Sequence, residues 1–285
     1  MKIMSKSLRV SLLFSSLLFL ILNLIGMRLG FYPVCNELLQ SNSKQHGTEE
    51  RYTVTDERYE HLDIHLPSKL PYNLTNPEIE NQSHGQTQFI DRFLKNMTNG
   101  FFIESGAFDG EYLSNSLFFE RFRNWTGLLV EPNPFQFKRL MNKNRKAYAI
   151  NACLSEKNYS SVETFNVGNK DYLGGSVVQK ETHNLLPQHI RVKCHPLILI
   201  LQAINRFEVD YFSLDIEGAE YGVLSLLPWE RIKVNIFSIE HNKWPGGKLN
   251  LIKFMEKRGY KLLTEIKRVG VAPDYIFKKT SENLL

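Results

Sequence analysis

Four acidic positions stand where apolar runs end, which is where a parallel α/β sheet offers side chains to a ligand. Glu131 closes Thr126–Val130, Asp215 and Glu217 follow the run that begins at Val209, and Glu240-His241 follows Asn235–Ile239. Two carboxylates at i and i+2 on a strand end can orient a cationic or hydroxyl-bearing ligand or serve as a base. As a histidine, His241 could take a proton near neutral pH, although a lone histidine is more often a structural hydrogen-bond donor. Glu131 lies one βαβ step beyond Gly106 and Gly110, near the spacing of about 20 residues at which nucleotide folds hold a ribose hydroxyl. A Gly-x-x-x-Gly turn with no such acid reads equally well as a tight turn.

The elements that must position these groups can be read outward from Gly100–Glu111. Phe101–Ile103 has the composition of a strand buried on both faces, and the two glycines permit positive φ before a helix over 114–123. A second strand, 126–130, leads through Pro132-Asn-Pro134 into a helix reaching about Asn144. A third strand spans 146–152, with Leu154-Ser155 at its carboxyl end facing the same crevice. Strands follow at 162–167 and 190–194, then a helix over 196–206 with proline in its first turn. The loop 169–180 carries Gly174-Gly175-Ser176, which could hinge a lid or merely form a surface loop. The strand from Val209 turns at Gly218 into a helix over 219–227, and 235–239, a helix over 249–258 and a closing antiparallel hairpin of 260–263 with 274–278 complete the pattern. No metal-ligand spacing appears in the sequence.

The chain has 285 residues, 42% of them apolar, with a net charge of +5, enough for one α/β domain and additional segments. Its basic residues are interspersed with acidic ones, which argues against a nucleic-acid partner. Eighteen uncharged residues, Val10–Met27, follow Lys2, Lys6 and Arg9. That length suits a membrane span with the N-terminus cytosolic, and the lack of a small-residue cleavage site favours a signal anchor over a removed signal peptide. The organisation expected is a cytosolic tail 1–9, a transmembrane anchor 10–29, a lumenal stem 30–87 and a catalytic-type domain 88–280. The stem is polar and proline-punctuated and offers too little apolar area to order itself. Five sequons begin at Asn73, Asn81, Asn96, Asn124 and Asn158, which suits a glycoprotein. Cys153 and Cys194 could pair in an oxidising lumen, with Cys35 left to bridge two chains, or all three could stay as thiols.

Phe102-Ile-Glu-Ser-Gly-Ala-Phe-Asp-Gly-Glu, Ser114-Asn-Ser, Trp125-Thr-Gly-Leu-Leu-Val-Glu-Pro-Asn-Pro134 and Ser213-Leu-Asp-Ile-Glu-Gly-Ala-Glu220 resemble the FkbM family of S-adenosylmethionine-dependent methyltransferases. The resemblance spans about Phe89–Lys278, and with the anchor and stem it points to the animal Star-like branch. It implies a Rossmann-like seven-stranded methyltransferase sheet with an antiparallel last strand and methyl transfer to oxygen. It also implies that Glu104, Gly106, Ala107 and Gly110 line the methionine end of the cofactor, Glu131 holds the ribose, Leu154 lies near the adenine, and Asp215 faces the methyl group, with Asp215 or His241 as base. Phe108 departs from the Gly-Ala-Asn of many bacterial members. The resemblance carries two functions. One is a lumenal O-methyltransferase acting on a glycan, lipid or protein hydroxyl. The other is a non-catalytic trafficking factor for membrane-bound growth-factor precursors, in export from the endoplasmic reticulum to the Golgi or in endosomal transport, with the plasma membrane as a further location.

Overall fold

The computed structural model describes residues 58–167, 175–178, 187–240, 243–268 and 271–280. The expected tail, anchor, first part of the stem and Cys35 lie outside these residues, as do Gly174 and His241. Among the described residues, no helix is long and apolar enough to cross a membrane.

Seven strands form the central sheet: β1 (Phe101–Ser105), β2 (Thr126–Val130), β3 (Tyr148–Ile150), β8 (Glu208–Leu214), β9 (Lys233–Glu240), β10 (Tyr260–Arg268) and β11 (Val271–Lys279). Their order is β10-β11-β9-β8-β1-β2-β3, and β11 alone runs antiparallel to its neighbours. The order reverses between β1 and β8, which is the switch point where open α/β sheets bind ligands. Helices α1 (Gln86–Phe93), α2 (Leu117–Arg123) and α3 (Pro134–Met141) cover one face; α4 (Leu197–Ala203), α5 (Glu220–Leu226) and α6 (Gly247–Glu256) cover the other. Strand alternation assigns the two cores. Phe102, Leu129, Tyr211, Ile236 and Ile276 pack with α1–α3, whereas Phe101, Ile103, Leu128, Val130 and Phe212 pack with α4–α6.

Between β3 and α4 the described residues form a second sheet, β4 (Cys153–Leu154), β5 (Ser161–Asn166), β6 (Ser176–Val177) and β7 (His189–His195), in the order β4-β7-β5-β6. The continuous third strand over 146–152 is therefore corrected. It stops at Ile150, and Leu154 belongs to the second sheet. Cys153 and Cys194 face each other in register, Cα atoms 4.4 Å apart, and are joined by a disulfide.

Residues 58–85 overturn the expectation that the stem reaches the domain without order. Leu62 and Ile64 are buried in the core. His65 exchanges two backbone hydrogen bonds with Ala149, 2.8 and 3.0 Å, and so covers the outer edge of β3. Glu111 accepts from the Thr75 and Asn76 amides at 2.7 and 2.6 Å while paired with Lys143 at 2.6 Å. These contacts join residues tens of positions apart, so no local pattern announces them.

Candidate active site

A cleft of about 1140 Å³, including its open mouth, lies over the carboxyl ends of β1, β2 and β8. It brings together Glu104, Gly106, Ala107, Glu131, Leu154 and Asp215. The backbone sets this up: the Gly106 and Ala107 amides donate to the Val130 carbonyl, and the Asp215 amide donates to that of Ser105. Gly106 has φ +85°, and a Cβ there would run into the Asp215 carbonyl, so only glycine lets the two strand ends approach. Gly110 is a correction. It packs against Leu140, gives its carbonyl to Arg145, and does not line the cleft.

Glu131 sits 5% exposed, one carboxylate oxygen accepting from the Phe108 amide and the other from the Asn133 amide, both at 2.8 Å. Burial pushes its carboxyl up to about 8 against those two hydrogen bonds. Phe108 reaches its position with φ +51°, a left-handed conformation that suits asparagine and strains a bulky side chain. The departure at Phe108 thus keeps the amide that orients Glu131.

Glu104 holds a loop. Its carboxylate accepts from the Asn115 amide at 2.6 Å, Ser114 Oγ at 2.8 Å and Ser116 Oγ at 2.5 Å. Burial raises its pKa, while the Arg145 charge and these bonds oppose the rise. Arg145, itself buried, ties the same loop together through Ser116 Oγ at 2.9 Å, the Gly110 carbonyl and Glu120 at 3.0 Å. Glu104 therefore shapes the cleft largely through Ser114–Ser116.

Leu154, Phe165 and Val177 of the second sheet form an apolar wall. The described part of the glycine loop contributes Gly175 and Val177 to that wall. Three acids gather at the ends of β8 and β9. Asp215 ends β8 and Glu240 ends the adjacent parallel β9, while Glu217, at φ +58°, is turned back toward them. Burial and then the charge of Glu240 hold Asp215 well above the usual carboxylate range; burial, then Glu217, pushes Glu240 up to about 7. Glu220 accepts from the Ile216 and Gly218 amides at 2.9 and 3.1 Å and fixes the turn.

Sequence reasoning misses Gln86, Ser105 and Asn115, which line the cleft, and the supporting roles of Arg145 and Glu220. Ser105 Oγ and Asn115 Oδ1 are buried and find no hydrogen-bond partner among the described residues. Only the Ser114-Asn-Ser motif and the Asp215–Glu220 motif carried a signal for any of them.

A family model for the methyltransferase FkbM domain matches residues 104–262, more than half of the chain. The chain belongs to the FkbM methyltransferase family. Among solved structures, the FkbM methyltransferase of Methylobacillus flagellatus KT is similar at 12% identity and a TM-score of 0.45, over 70% of this chain and 48% of that one. This FkbM-family chain thus spans about half the length of that relative. M. jannaschii TYW2 in complex with AdoMet is similar at 15% identity and a TM-score of 0.35, covering 76% and 86% of the two chains. The human methyltransferase 10 domain containing protein follows at 8% identity and a TM-score of 0.39, covering 78% and 91%. No curated protein matches the chain.

Proposed function

We propose that this FkbM-family chain is an S-adenosylmethionine-dependent O-methyltransferase acting on a hydroxyl of a glycan, lipid or protein. One observation carries the reading. Glu131 ends β2 with its carboxylate already aimed by two amides, and the cleft it lines also holds the unpartnered Ser105 Oγ, 2% exposed. A vicinal diol suits the first group and a polar amino-acid end the second, while Leu154 and Phe165 suit a purine. Glu131, Ser105, the Gly106-Ala107 turn and Leu154 would hold the cofactor, which when bound supplies an electrophilic methyl group. The chain's own contribution is alignment and exclusion of water, with Asp215 taking the proton of the acceptor hydroxyl.

Membrane anchoring with a lumenal domain belongs to the same proposal, in the endoplasmic reticulum or Golgi. Its support is the uncharged run Val10–Met27 behind three basic residues, the exposed asparagines of the sequons at 73, 96, 124 and 158, and the disulfide. A second reading is a Star-like trafficking factor that binds membrane-protein cargo without turnover, and Phe108 in the cleft wall favours it.

Calorimetry of the full chain with S-adenosylmethionine tests the first reading. Micromolar binding is expected, weakened at least tenfold in Glu131→Ala; absence of heat with the wild-type chain overturns it. Binding without methyl transfer to any hydroxyl acceptor would favour the second. Glycosidase treatment of the chain from a secretory host is expected to increase its gel mobility, and an unchanged band would rule out the lumenal topology.

A further inference from the structure

The acidic side of the cleft has one more component. Asp274 lies directly opposite Glu240 in the antiparallel register of β9 and β11, and it accepts a hydrogen bond from Gln86 Nε2. The Gln86 amide is therefore held at Asp274, the cross-strand neighbour of Glu240. Gln86 is 1% exposed and lines the same cleft as Asp215 and Glu217, yet its Oε1 has no partner among the described residues. Carboxylate oxygens of Asp215, Glu217 and Glu240 lie within 4.8 Å of one another. Lys243 reaches Glu217 at 3.1 Å, but among the described residues neither Asp215 nor Glu240 has an ion pair. Asp215 and Glu240 are close enough to share a proton, and beside them stand Glu217 and the orphaned Gln86 oxygen with one ammonium at their outer side; a bound cation is the ligand that would replace that proton and satisfy all four groups.

We propose that Asp215, Glu217 and Glu240, with Gln86 Oε1, form a binding site for a divalent cation of calcium size at the edge of the cleft. Oxygen donors select hard cations. The kind of donor separates the two common ones. Calcium accepts a set of carboxylate and amide oxygens supplied by protein in flexible geometry, whereas magnesium demands near-ideal octahedral geometry and keeps several waters. Binding stands on the four groups alone. That the ion would also hold an acceptor oxygen and lower its pKa rests on the methyl-transfer reading.

The test is thermal unfolding of the full chain, stripped with a chelator and then given calcium chloride or magnesium chloride. Calcium is expected to raise the midpoint by about 4 °C or more, and magnesium by less. Glu240→Gln and, separately, Asp215→Asn should melt no lower than wild type in chelator and lose the calcium shift. A wild-type midpoint that calcium leaves unmoved overturns the site, as does a full shift in both variants. The readout needs no turnover. A calcium shift in a chain that binds no S-adenosylmethionine would remove the proposed activity and leave the cation site standing.

Discussion

At the ends of β1 and β2 all four carboxylate oxygens of Glu104 and Glu131 accept an N–H or O–H from the protein. At the ends of β8 and β9 the carboxylates of Asp215, Glu217 and Glu240 face one another instead. The first half of the cleft is organised before any ligand arrives. In the second half burial, and then the closeness of like charges, raises the pKa of both Asp215 and Glu240. A site that aligns one partner and polarises another needs both kinds of wall.

The contrast predicts opposite signs for single substitutions. Arg145→Met should be the most damaging, because it strands buried Glu120 and Glu104 and releases the Ser114–Ser116 loop. A loss of roughly 3–5 kcal/mol is expected in denaturant unfolding, and a loss under 1 kcal/mol would show that the first half does not depend on this cation. On the other side, Glu240→Gln in chelator above pH 8 should gain about 1 kcal/mol by removing one of several like charges. Destabilisation there would mean the acids are satisfied within the protein.

Glu131 supplies a pH test of intermediate size. Its folded pKa of about 8 lies above its unfolded value, so protonation favours the empty fold. That contribution is complete in acid and is lost as pH rises through 8. A ligand that needs the ionised carboxylate shows the reverse trend, so S-adenosylhomocysteine should bind about tenfold more tightly at pH 9 than at pH 7. Calorimetry at the two values decides it, and a flat profile would mean that the ligand does not engage Glu131.

The smallest effect is expected at Phe108. Asparagine accepts the left-handed conformation more readily, so Phe108→Asn should gain up to about 1 kcal/mol in urea unfolding while keeping the amide bond to Glu131. A net loss would show that the ring's contact with Tyr112, centroids 6.2 Å apart, outweighs the backbone strain.

Much of the central sheet was legible because β1, β2, β8 and β9 are apolar runs that end abruptly in acids, and those acids were the site residues that could be named. Of the second sheet only two strands were legible, 162–167 and 190–194, which form β5 and β7. A two-residue strand such as β4 has no period, and its place is set by pairing with β7 some forty residues on. Residues 58–85 were misread because polar composition says nothing of a segment tied down by Glu111, Lys143 and the backbone of Ala149. Gln86, Ser105 and Asn115 escaped because uncharged polar residues are common. Their meaning comes from losing their partners on burial, and Gly110 was misassigned because a glycine serves a turn as readily as a ligand.

The Cys153–Cys194 bridge, across a separation of 41 residues, closes the excursion between β4 and β7 into a covalent ring. Lys157 lies exposed within that ring, so a single tryptic cut there would open the circle without dividing the molecule. The two lengths of chain would part only under a reducing agent. The strand behind Leu154 would therefore remain fastened to its neighbour even in a nicked protein.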